Sequence, residues 1–228
     1  MRKFFVLSLL VCGFGLAVTN AKAQNPLGEI LRRMDVNNKS LQSLRADVTM
    51  VKTDSVLNVS DTSVGSTSYL PKTPNRVMYV RIDWTKPLEE MISVIGDNYE
   101  LYRPRLAQVI QGKTNNAKNN ASVGGALGFM SMSKEQLKTN YTVIYIGEEQ
   151  IKGGTLTWHL QLNPKTATSY KMAELWVDGD GMPRQAKIVE QNNDSTTVFL
   201  SNIQKNVTLK GEIFKLNYDK KKVKFIRA

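Results

Sequence analysis

Apolar residues along this chain recur mostly at every second position, the spacing of strands that bury one face. The strongest run centres on residues 74–87, where Met78, Val80, Ile82 and Trp84 share one side and Tyr79, Arg81 and Asp83 the other. Pro87 lacks a ladder donor, so it opens the next strand, residues 88–95. Gly96-Asp97-Asn98 tolerates the positive φ of a hairpin turn, residues 99–103 form the return strand, and Pro104 ends it. The result is an antiparallel meander with one apolar side.

Further strands follow the same logic. Residues 45–58 alternate, with Ala46, Val48 and Met50 on one face, and residues 64–70 follow after a polar turn. Residues 106–111 close the meander. Residues 141–146 resume the pattern, and residues 155–162 give its cleanest form: Leu156, Trp158, Leu160 and Leu162 against Thr157, His159 and Gln161. Asp178-Gly179-Asp180-Gly181 is a hairpin signal between strands at 172–177 and 183–190. Segments 196–203, 213–217 and 222–226 complete a set of about eleven strands.

Helical spacing occurs in two places. Leu27, Ile30, Leu31 and Met34, continued by Leu41 and Leu44, make an amphipathic helix over residues 26–44 with an interruption at Asn37-Asn38-Lys39. Residues 112–140 form an insertion that is polar at first and then rich in small and apolar residues, including Leu127, Phe129, Met130 and Met132. Ser133 with Gln136 makes a capping box, and Leu137 faces inward. A loop of that size carries function more often than accident.

Composition narrows the setting. Arg2 and Lys3, an apolar run over residues 4–18, and Ala21-Lys22-Ala23 read as a signal peptide cleaved after Ala23. Residues 24–228 then form one domain in the periplasm. The single cysteine, Cys12, leaves with the signal, so no disulfide supports the fold. Three of the 31 basic residues also leave, and 28 against 20 acidic residues is a net charge of +8. Export argues against nucleic acid as the partner of that charge.

Catalytic chemistry finds no foothold. His159 is the only histidine and sits mid-strand as a surface-facing residue, without a nucleophile motif. Asp178-Gly179-Asp180-Gly181 lacks the ligand spacing of a calcium loop, and Gly112-Lys113-Thr114 lacks the earlier glycine of a phosphate loop. No catalytic residue, metal or cofactor is expected. What remains is surplus apolar surface, which reads as a concavity under a cover. Its candidate lining is Val48, Met50, Met78, Val80, Ile82, Trp84, Leu101, Leu156, Trp158 and Leu160. Leu127, Phe129, Met130, Met132 and Leu137 are the candidate lid, methionine being suited to ligands of irregular shape.

Several segments resemble the LolA-type carriers of outer-membrane lipoproteins. They are Leu31-Arg32-Arg33-Met34 through Asp47-Val48-Thr49, residues 65–70, Pro74-Asn75, Pro87, Gly96-Asp97 and Leu101-Tyr102-Arg103-Pro104 through Gln108-Val109. Val189-Glu190-Gln191-Asn192-Asn193 and Ile213-Phe214-Lys215-Leu216 with Val223 are similar to the family's closing strands. The resemblance implies an α+β, mostly β fold: an unclosed antiparallel barrel of about eleven strands, with an N-terminal helix and a helical lid over a hydrophobic cavity for acyl chains. It implies a monomer loaded with lipoprotein by an inner-membrane ATP-driven complex, delivering to an outer-membrane receptor or to the outer membrane itself. The chain departs from the family where the lid-latching arginine aligns with Thr73, which with neighbouring Lys72 is the candidate latch. Rival readings on the same fold are a carrier of another lipid or glycolipid and an envelope-stress sensor domain.

Overall fold

The computed structural model describes residues 26–114, 128, 130 and 132–227. Helix α1 (Pro26–Ser40) is followed by strands β1 (Leu44–Asp54), β2 (Val59–Leu70), β3 (Tyr79–Lys86), β4 (Glu90–Ile95), β5 (Asn98–Arg103) and β6 (Gln108–Lys113). A short helix α2 (Lys134–Asn140) leads into β7 (Tyr141–Gln150), β8 (Leu156–Pro164), β9 (Tyr170–Asp178), β10 (Pro183–Glu190), β11 (Ser195–Lys205) and β12 (Lys224–Arg227). All twelve strands join one sheet in the order β12-β6-β5-β4-β3-β2-β1-β11-β10-β9-β8-β7. The two end strands do not meet, so the barrel is unclosed. Every pairing is antiparallel except β12 on β6.

The expected and observed elements differ at identifiable places. The first helix stops at Ser40, and Leu41 and Leu44 continue its apolar stripe from the linker and from β1. Strand β4 begins at Glu90, three residues after Pro87, and β2 begins already at Val59. Residues 213–217, expected as a strand, instead contain the end of a 3-10 turn, Gly211–Phe214. Phe214 is fully buried there and packs on Tyr79 at a ring separation of 5.4 Å. That segment is held as a strap: Arg81 Nη1 donates to the carbonyl oxygens of Ile213 (2.6 Å) and Lys215 (3.1 Å), and Ser93 Oγ donates to that of Phe214. The polar side of β3 is thus covered rather than solvated.

Two faces of the sheet therefore have different fillers. On the inner face, Ile30, Leu31 and Met34 of α1 meet Leu160, Leu162, Leu175, Val198 and Leu200 in the main core. Helix α2 adds Leu137, with the capping box in place: Gln136 N donates to Ser133 Oγ (3.2 Å) and Ser133 N to the Gln136 side-chain oxygen (2.8 Å). Arg33 pins α1 to the β9–β10 hairpin by donating to the Gly179 carbonyl oxygen at 2.7 Å. Within that hairpin Asp178 accepts from the amides of Asp180 and Met182 and from Arg184 Nε. No helix among the described residues is long and apolar enough to cross a membrane.

Two glycines mark backbone approaches that no side chain fits. A Cβ on Gly65 would stand 2.2 Å from the Asp83 carbonyl oxygen, beside the irregularity in the β2–β3 register. A Cβ on Gly181, whose φ is +82°, would stand 2.3 Å from the Arg33 carbonyl carbon. Overpacking of this kind typically costs about 1–3 kcal/mol, and the left-handed backbone adds to it at Gly181. Gly65→Ala and Gly181→Ala are therefore each expected to lower stability by at least about 1 kcal/mol, with Gly181→Ala the worse. Chemical denaturation followed by circular dichroism measures this, and an unchanged midpoint in either variant would contradict the close approach.

Candidate functional site

The inner face of the sheet is divided. Under α1 and α2, strands β8 to β11 hold the packed core, with Met182, Pro183 and Leu200 reaching the edge of the cavity. Beyond them, strands β1 to β5 face a cavity of about 730 Å³, within the roughly 300–1,000 Å³ of small-molecule sites. Strand periodicity builds its wall, because every second side chain of each strand points inward. β3 supplies Val80, Ile82 and Trp84, preceded by Met78. β4 supplies Ile92 and Val94, and β5 supplies Tyr99 and Leu101. Met50, Thr67 and Tyr69 line it from β1 and β2. Met34 and Leu41 come from α1 and its linker, and Met130 and Met132 from the insertion.

Charged groups lie at both ends of this lining, with Asp97 at the β4–β5 turn and Lys52, Asp61, Glu90 and Arg103 at the opposite end. Lys52 and Asp61 stand opposite each other in the β1–β2 register. Arg103 Nε lies 2.9 Å from a carboxylate oxygen of Glu90. Deeper in, the buried Asn37 is satisfied on both sides of its amide. Its Nδ2 donates to the Met182 sulfur at 3.4 Å, and its Oδ1 accepts from Lys205 Nζ at 3.0 Å. The wall is thus mostly apolar with polar groups at its two ends, suited to a molecule with a hydrocarbon part and a polar part. Such a site binds by excluding water from hydrocarbon.

The structure sorts the residues expected to line the cavity into two groups. Met50, Met78, Val80, Ile82, Trp84 and Leu101 come together on its wall. Val48 and Leu160 are fully buried in the packed core, and Leu156 is 54% exposed. Trp158 packs against the same core under the Arg33 guanidinium, 5.3 Å from its ring centroid. The clean alternation of β8 told which side faces in, but the helices already occupy that side. Of the expected lid, Met130 and Met132 reach the cavity, Leu137 belongs to the core, and Leu127 and Phe129 lie outside the described residues.

Lys72 and Thr73 sit at the β2–β3 turn and do not line the cavity. Thr73 forms a local bridge with Arg76, while Lys72 is exposed. Arg76 reaches back to the carbonyl oxygens of Pro71 (3.2 Å) and Gln42 (3.4 Å), joining this turn to the α1 linker. Thr67, Tyr69, Ile92 and Val94 were missed as lining. For the last two the signal was present, since they alternate within the strand expected at 88–95.

His159 is not a freely exposed residue. It stacks on Trp176 at 4.3 Å, with Glu149 3.1 Å from Nδ1 and Glu174 3.5 Å from Nε2. This group lies on the outer face of β7 to β9, away from the cavity. Among the described residues no cluster of three His, Cys, Asp or Glu side chains is arranged to hold a metal ion.

Comparison with known proteins places this geometry. The fold is similar to that of an uncharacterized conserved protein from Thermus thermophilus, with a TM-score of 0.56 at 13% identity over 89% of this chain and 99% of that one. It is also similar to MucB, with a TM-score of 0.55 at 12% identity over 86% of this chain, which spans 64% of MucB. The lipoprotein LppX of Mycobacterium tuberculosis aligns with a TM-score of 0.45 at 16% identity over 80% of this chain and 99% of that one. No curated protein matches the chain in sequence. The family described as outer membrane lipoprotein carrier protein LolA matches residues 39–217, most of the chain, and the chain belongs to that family.

Proposed function

We propose that this protein is a periplasmic carrier that shelters the acyl chains of lipoproteins on their way from the inner to the outer membrane. Residues 1–23 serve as its export signal in this reading, and residues 24–228 act as a single carrier domain. The observation that carries the proposal is the unfilled half of the concave face, bounded by Val80, Ile82, Trp84, Ile92 and Leu101. Membership in the lipoprotein-carrier family supports it.

The energetics suit carriage rather than storage. Burying hydrocarbon is worth about 0.8 kcal/mol per methylene, so full enclosure of a 16-carbon chain approaches about 12 kcal/mol. A cavity holding several chains completely would release them too slowly to deliver. Partial enclosure keeps the cargo exchangeable, and a cover that moves at modest cost completes the cycle. Met130 and Met132 are the residues of that cover that meet the acyl chain in this reading. Their flexible thioethers fit chains of differing length and branching. Unpaired charge is unwelcome against hydrocarbon, so the Glu90–Arg103 pair and Lys52 mark where the cargo's polar part emerges.

Two variants separate carriage from folding. Val80→Asp places a carboxylate on the cavity wall at a partly exposed position, and uptake of a fluorescent fatty-acid probe is expected to weaken by more than about tenfold. Leu160→Ala opens the packed core instead. It is expected to lower stability by about 2–5 kcal/mol while the folded fraction still takes up probe. Fluorescence titration beside thermal unfolding reads both, and a Val80→Asp protein that binds probe like the parent would refute the assignment. Mass spectrometry of protein isolated from its own envelope identifies the cargo: lipidated peptide agrees with the proposal, and free lipid or glycolipid alone replaces it with the other carrier reading.

A further inference from the structure

One end of the sheet gathers features that the cavity does not use. The antiparallel register brings the β1–β2, β3–β4 and β5–β6 turns to this same end, and β12 starts there because Lys224 pairs with Gln108. The cavity lining reaches this end through Lys52, Leu88, Glu90 and Arg103. Leu88 is 48% exposed although it lines the cavity, and Leu106 at the next turn is 59% exposed. The amide of Lys224 donates to the Ala107 carbonyl oxygen at 2.7 Å, so the chain's last segment is fastened beside Leu106.

That fastening assembles a basic corner. Arg105 flanks Leu106, and Lys220, Lys221, Lys222 and Lys224 arrive with the final turn, all of them exposed. Among the described residues only Lys222 of these five has a carboxylate within reach, Asp219 at 3.7 Å. Phe225, 43% exposed, follows Lys224 and meets Tyr218, which in turn packs on Tyr102. Residues 205–228 hold eight basic and two acidic side chains, so they supply most of the protein's positive surplus. Elsewhere at this end Lys52, Lys86 and Arg103 stand among Asp54, Asp61, Glu89 and Glu90, and the charges nearly cancel. Electrostatic attraction is confined to the corner.

We propose that this corner docks on the surface of an anionic phospholipid bilayer, with Leu106 and Phe225 entering the headgroup region and the five cations held among lipid phosphates. The occupant follows from the chemistry. Leu106 on the β5–β6 turn and Phe225 on β12 are single exposed side chains that do not make the continuous groove a protein partner needs, whereas an interface of mixed headgroups and hydrocarbon accepts them singly. A run of clustered Lys and Arg gains about 1 kcal/mol per charge near an anionic leaflet. Because Leu88 and Arg103 belong to the same end, docking there sets the Lys52–Glu90–Arg103 end of the cavity against the bilayer, so that an acyl chain leaves toward the membrane. That consequence rests on the carrier reading; the docking itself does not.

Co-sedimentation of the purified protein with vesicles tests it. Binding is expected to vesicles of phosphatidylglycerol mixed with phosphatidylcholine, to fall steeply with salt, and to be absent on phosphatidylcholine alone. The combined change Lys220→Ser, Lys221→Ser and Lys222→Ser is expected to weaken binding by roughly a hundredfold, and Leu106→Ser by about tenfold. Both variants are expected to take up the fatty-acid probe as the parent does. Equal binding to both vesicle types, no binding to either, or undiminished binding by the triple variant would overturn the proposal. Loss of probe uptake by the parent would overturn the carrier reading and leave the vesicle result to be judged alone.

Discussion

Among the described residues, helices α1 and α2 are too narrow to cover the inward face of a twelve-stranded sheet. Strands lie about 4.8 Å apart, so twelve of them present a face on the order of 50 Å wide when unrolled. A helix with its side chains is about 10–12 Å across and seals two or three strands. Helix α1 puts Ile30, Leu31 and Met34 over the β8 to β11 half, where Leu160, Leu162, Leu175 and Val198 become fully buried. No comparable element among the described residues lies over β2 to β5, and Val80, Ile92 and Tyr69 stay only partly buried there. The cavity therefore lies where α1 and α2 do not reach, and its apolar character follows from the sheet's own alternation.

The outer face solves the same problem differently. Over β3 to β5 it is covered by irregular chain, with Phe214 as the anchor and Arg81, Ser93 and Tyr79 as its receivers. Irregular backbone can lie there because its carbonyl groups find side-chain donors. The far half of that face carries the Trp176–His159 stack and its two glutamates, a local polar arrangement on half-buried strands. This outer cover packs behind β3 and β4, the strands whose other face forms the cavity wall.

Much of this was legible in the sequence, and the limits have physical causes. Period-two spacing identified nearly every strand and gave the inward side of β3 and β8 correctly, because side-chain alternation is a property of the strand itself. It did not say whether that side is filled, which depends on where a distant helix comes to rest. Val80 and Leu160 carry the same local signal yet sit in a hollow and a solid core. Residues 213–217 read as a strand because Phe214 and Leu216 alternate with Lys215 and Asn217, but Phe214 is drawn to a site on β3 more than a hundred residues away. In β2, Thr67 and Ser63 line the cavity with small polar groups that no apolar pattern marks. The resemblance pointed to Thr73 for a latch, and the structure gives that turn a local bridge to Arg76 instead.

The seam of the sheet has a bearing on how the molecule is made. β1, nearly the first element, pairs on one side with β11, nearly the last, so that Val48 lies opposite Leu200. A chain emerging from its N-terminus can form the β1 to β6 meander early from neighbours in sequence, but that meander then waits with both edges unpaired, β1 for β11 and β6 for β12, and its hollow side open. Non-local pairing of this kind delays folding, and an open strand edge invites association with other chains. Until the final quarter of the polypeptide arrives, the nascent protein is itself a client in need of shelter.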